Sequence, residues 1–76
     1  MKTQLALDLM EKGDHITLFL KNGEVITGLF QFIDGDNFDG DVVLKPVKPS
    51  KTIYDQMSLG WKIAFIKEIE IENLED

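Results

Sequence analysis

Apolar residues at every second position, Ile16, Leu18 and Leu20, give the stretch from about His15 to Lys21 the period of a strand with one face inward. The run breaks at Asn22-Gly23, the strongest short hairpin signal, because a two-residue type I′ turn needs positive φ at both central positions. A second strand is predicted from about Glu24 to Asp34. Within it, Gly28 interrupts an otherwise apolar run and marks a bulge or a place where the sheet curls. Upstream, residues 3–12 favour a helix: Leu5, Leu9 and Met10 share a face, and Gly13 suits its C-terminal cap. Downstream, Gly35-Asp36-Asn37-Phe38-Asp39-Gly40 is a loop by composition. Strand three is predicted from Asp41 to Val47 around Val42-Val43-Leu44, and Pro46 and Pro49 end it because proline has no N–H to give a ladder. Strand four is expected near Lys51 to Met57, and strand five from Trp61 to at least Ile66. The alternation Glu68-Ile69-Glu70-Ile71-Glu72 extends strand five with its isoleucines on one face.

A helix followed by five short antiparallel strands, the first two forming a strongly bent hairpin, predicts a mostly β fold. The expected architecture is an N-terminal helix (about 3–12) and a five-stranded SH3-like barrel (about 15–71), a single domain over residues 1–76. Leu20-Lys21-Asn22-Gly23-Glu24, then Gly28 and an apolar run ending in Asp34, resembles the first motif of the Sm/Lsm family. Gly60-Trp61-Lys62-Ile63-Ala64-Phe65-Ile66 resembles the second, a Gly followed by Ile at +3 and apolar residues at +5 and +6. Leu20, Asn22, Gly23, Gly28 and Asp34 are the fold-motif positions of that resemblance.

The resemblance implies that strand four of one subunit pairs with strand five of the next, closing a homo-oligomeric ring of about five to seven copies. Unpaired edge strands are a liability, and a head-to-tail interface that closes removes them. Ile53, Ile63 and Phe65 are the apolar edge positions suited to that interface. The alternative is a monomeric barrel whose edges are blunted by Lys51, Asp55 and Lys62.

Composition supports assembly. A chain of 76 residues buries only about 60% of its unfolded surface, and domains below about 80 residues usually need a staple or an oligomer. There is no Cys and a single His, so neither disulfides nor a zinc site supply that staple. No cofactor is expected. The first ten residues carry Asp8 and no signal-peptide or membrane-spanning pattern, so a soluble, cytoplasmic protein with no membrane partner is expected. Fourteen acidic residues against eight Lys and no Arg leave a net charge of −6. Nucleic-acid binders ordinarily show the opposite balance, because phosphate contacts supply most of their affinity.

In the resembled family single-stranded RNA is held at the ring rim by two loops. One offers a stacking residue and an Asn in an Asp-x-x-Met-Asn pattern, and the other an Arg directly ahead of the second-motif Gly. Anchored on Asp34, Asp36 takes the stacking position, Asn37 stands for Met, Phe38 stands for Asn, and Leu59 replaces Arg before Gly60. A gapped reading sets Gly40-Asp41 over Met-Asn, again without the Asn. A carboxylate repels phosphate, and Leu lacks the guanidinium's fork. Asp36, Asn37, Phe38, Leu59 and Gly60 are therefore candidates for a weak or altered RNA site. Phe38 and Asn37, shifted by one, could still stack on and hydrogen-bond a base; the alternative is a packed Phe38 and an Asn37 bonded to its own turn.

Asp34, Asp36, Asp39 and Asp41 offer hard oxygen ligands, but the spacing fails the EF-hand loop and a solvated turn is the simpler reading, so no metal site is assigned. Lys45, Lys48 and Lys51 form the one basic concentration, either a crown around a ring or lysines solvating a loop. His15 reads as a surface or capping residue, and Trp61 as core or subunit contact. No nucleophile–base pair or phosphate loop is present, so the chain is expected not to be an enzyme. Two functions remain: a homo-oligomeric Sm-like ring with weak or altered RNA binding, and a ring-forming interaction scaffold that has lost it.

Overall fold

The computed structural model of the chain describes residues 2–36, 39–45 and 58–72. A helix, α1 (Thr3–Leu9), precedes strands β1 (His15–Leu20), β2 (Val25–Asp34) and β3 (Asp41–Lys45). Then follow β4 (Leu59–Lys62), a 3-10 helix (Ile63–Phe65) and β5 (Ile66–Ile71). Among the described residues the strands form one antiparallel sheet in the order β4-β3-β2-β1-β5, with β4 and β5 at its ends, so the sheet is open where a closed barrel was expected. No helix among the described residues is long and apolar enough to cross a membrane.

β1 keeps the predicted alternation, with Ile16, Leu18 and Leu20 buried and the residues between them half-buried. Each such side chain removed from water is worth roughly 1.5–3 kcal/mol. Opposite β1 lies β5, whose Ile69 and Ile71 are buried on the same face. Simple alternation back from Ile69 would bury Lys67 and expose Ile66. A bulge prevents this: the register shifts between Phe19 and Leu20, which pair with Glu68 and Ile66, so Lys67 is passed over and Ile66 is buried. The same device operates in β2. Phe30 pairs with Leu44 and Phe32 with Val43, so Gln31 is the extra residue. Beyond it Ile33 packs against the core and Phe32 is exposed.

Several expectations need correction. The helix is shorter than residues 3–12, and it turns a different face inward. Ala6 and Met10 are buried, while Leu5 and Leu9 are 54% and 41% exposed. Gly13 is not its cap. The helix ends with Met10 in extended backbone, and Gly13, at φ +96°, sits in the following turn. There the Glu11 N–H donates to the Asp14 carboxylate at 2.9 Å, and the Gly13 N–H donates to the Phe30 carbonyl at 2.8 Å.

The hairpin loop has three residues, not two. Gly23 N–H donates to Leu20 O at 3.0 Å, closing a turn over Lys21 and Asn22, and Gly23 follows at φ +95°. The Leu20 N–H then donates to Glu24 O at 2.9 Å. This is a turn followed by one left-handed glycine, the usual three-residue solution. Asn22 contributes through its side chain, whose Oδ1 accepts the Glu24 N–H at 2.9 Å. Gly28 is not the bulge either; a Cβ there would lie 2.9 Å from the Lys45 carbonyl and 3.0 Å from the Leu44 Cβ, so the glycine permits close approach of β3.

The stretch predicted as one strand from Trp61 to Ile66 is divided. Trp61 and Lys62 belong to β4, paired to Val42 and Asp41, and the 3-10 helix turns the chain into β5 before Ile66. β3 is described from Asp41 to Lys45; the rest of its expected span, Pro46 and Val47, and the strand expected near Lys51–Met57 lie outside the described residues.

Candidate functional site

The loop expected to carry a binding site leaves β2 at Asp34 and enters β3 at Asp41, two residues that face each other in the ladder. Like charges directly opposite are unfavourable, and Lys62 lies beside them with Nζ 3.9 Å from Asp41 Oδ1. Gly35, at φ +112°, turns the chain, and the Asp39 N–H closes the loop onto the Asp36 carbonyl at 3.0 Å. Gly40 is buried, and its carbonyl accepts the Ile63 N–H at 3.0 Å. That bond fixes the 3-10 helix against the loop. Asp34, Asp36 and Asp39 are exposed and Asp41 is half-buried. Among the described residues no group of acidic or His side chains is placed to hold a metal ion.

Gly60 comes to this loop: a Cβ on it would stand 3.1 Å from Asp41 Oδ2. Leu59 does not come as close, since it pairs with Leu44, three residues along β3 from Asp41. It is exposed on the edge strand. Asp36 and Gly60 thus lie on the two segments that meet at Asp41, whereas Asn37 and Phe38 lie outside the described residues. The positive group beside Asp41 is Lys62, which the sequence offered only as a residue that blunts an edge strand. It carries one charge against the carboxylates around it and is engaged with one of them.

The interface candidates separate. Ile63 is 4% exposed and belongs to the chain's own core, so it offers no side chain to a neighbour. Phe65, two residues on, is 64% exposed. Ile53 lies outside the described residues.

A second concave surface lies at the hairpin end of the sheet. The Lys21 N–H donates to the Phe65 carbonyl at 2.9 Å, tying the 3-10 helix to the hairpin loop. Between them opens a groove of about 400 Å³ lined by Leu20, Lys21, Asn22, Glu24, Trp61 and Phe65. Its size falls within the range of ligand pockets, and it combines apolar walls with a few polar groups. In the sequence Asn22 reads as a fold-motif position and Trp61 as core or subunit contact. The signal that could have joined them is the 3-10 helix, which no hydrophobic period reveals. No family model, curated protein or solved structure matches the chain.

Proposed function

We propose that this chain is an Sm-like protein, a short helix followed by a strongly bent, SH3-like five-stranded fold, that assembles into a homo-oligomeric ring of about five to seven copies. The observation that carries this reading is the strand order among the described residues, β4-β3-β2-β1-β5, which puts the last two strands, β4 (Leu59–Lys62) and β5 (Ile66–Ile71), at opposite ends of the sheet, open to pairing between copies. The agreement of Leu20, Gly23, Gly28 and Asp34 with the first Sm motif supports it. Light scattering on the purified protein tests it. The expected mass is about five to seven times the 8.7 kDa of one chain, and a monomer at working concentration overturns the ring.

Single-stranded RNA binding at the rim is weak or altered in this reading. Asp36 and Asp39 are exposed carboxylates where phosphate would pass, and Lys62 is engaged with Asp41. A gel-shift titration with uridine-rich and adenine-rich RNA is expected to give binding at low salt that is lost at physiological salt, because phosphate contacts supply most of the affinity and weaken as salt rises. The same carboxylates favour the second reading, a ring-forming scaffold without RNA. No shift at micromolar ring concentration in low salt selects it.

A further inference from the structure

The groove between the hairpin loop and the 3-10 helix takes one of its residues, Trp61, from the edge strand β4 and shares none with the Asp34–Asp41 loop. Trp61 and Phe65 supply aromatic walls and Leu20 a buried apolar residue. Lys21, Asn22 and Glu24 are its polar residues. The Asn22 Oδ1 is held by the Glu24 N–H, leaving its NH2 with no partner among the described residues. The Glu24 side chain is an exposed carboxylate. Aromatic-lined grooves with a carboxylate and an amide donor suit an extended, proline-bearing segment. Proline rings pack on the aromatic faces, its carbonyls accept from the amide, and a flanking cation meets the carboxylate.

The chain itself contains such a segment. Residues 45–51 read Lys-Pro-Val-Lys-Pro-Ser-Lys, with the two prolines at i and i+3. Three of the eight lysines fall in it and none of the fourteen acidic residues, so it carries +3 while the other 69 residues carry −9. The aromatic walls and the −9 on the rest of the chain therefore point to one occupant, with Lys21 offsetting Glu24 inside the groove itself. We infer that the groove lined by Trp61, Phe65, Asn22 and Glu24 receives the Lys45–Lys51 segment of a second copy of this chain. This rests on the self-association in the reading above and adds to it a contact distinct from edge-strand pairing.

Trp61 is the chain's one tryptophan, so its emission reads the groove directly. The receptor is the full chain carrying Pro46→Ala, Lys48→Gln and Pro49→Ala, which disables its own segment, with its fold checked by far-UV circular dichroism. The probe is a synthetic peptide of the 45–51 sequence with blocked ends. A saturable change in Trp61 emission is expected. Affinity should fall at least tenfold when Phe65→Ala is added to the receptor, and severalfold with Glu24→Gln. A peptide in which both prolines are alanine should bind at least tenfold more weakly. No saturable change, equal binding of the two peptides, or an unaltered affinity in the Phe65→Ala receptor overturns the inference. A monomeric unaltered protein counts against the ring, whereas the peptide titration decides the groove, so the two ideas fail separately.

Discussion

At Gly28 an added methyl group would meet the Lys45 carbonyl at 2.9 Å and the buried Leu44 side chain at 3.0 Å. Neither neighbour can yield cheaply, one being backbone and the other packed core. Gly28→Ala is therefore expected to cost about 1–3 kcal/mol, read as a lower urea midpoint at unchanged slope. Gly23 differs: nothing lies within 4 Å of its Cβ position, but its φ of +95° penalises any L side chain. Gly23→Ala should cost about 1–2 kcal/mol, and Gly23→Asn less, because Asn tolerates that backbone region. Equal losses for Ala and Asn at this site would show that backbone strain is not the cause. Both glycines were legible in the sequence as special positions. Their reasons were not, because a close approach depends on a residue some sixteen positions away and a turn type depends on how the flanking strands pair.

At the scale of elements, helix α1 shows where a periodic pattern is ambiguous. Five apolar residues (Leu5, Ala6, Leu7, Leu9 and Met10) fit two helix faces about equally well. Docking on β5 settles which face is buried. The Lys2–Glu68 bridge and the bond from Thr3 Oγ1 to the Ile66 carbonyl, at 3.3 Å, hold the helix start against that strand. Fully buried Ala6, with no bulk to hold the two backbones apart, then faces it. Met10→Ala should accordingly cost about 2–5 kcal/mol, whereas Leu5→Gln and Leu9→Gln should each change stability by less than about 0.5 kcal/mol. Thermal or urea unfolding of the three variants checks the assignment, and a large loss at Leu5 would reverse it. The bulges at Gln31 and Lys67 carry the same lesson for strands. A one-residue slip exchanges the two faces, and only the pairing partner reveals where it occurs.

For the whole molecule, the described core is carried by one face of the sheet and the inner side of a seven-residue helix. Phe32, Leu59 and Phe65 remain exposed. In the proposed ring, binding of folded copies to one another would stabilise each by mass action. The melting temperature of a ring should therefore rise with protein concentration over a hundredfold dilution series. A midpoint independent of concentration would show that assembly contributes nothing to folding.

The alternation in β1, the Asn22-Gly23 turn region and the apolar β3 run depend on neighbours along the chain, so sequence alone determined them: a mostly β chain with an N-terminal helix, built on one hairpin. Sequence also determined the acidic character of the loop after β2. Only the tertiary structure decided that Ile63 is core and Phe65 is surface, that Lys62 reaches Asp41, and that the hairpin loop and the 3-10 helix share a groove. Those are contacts between residues some twenty to forty-five positions apart. They are set by sheet order and by two single-residue bulges, and no local period encodes either.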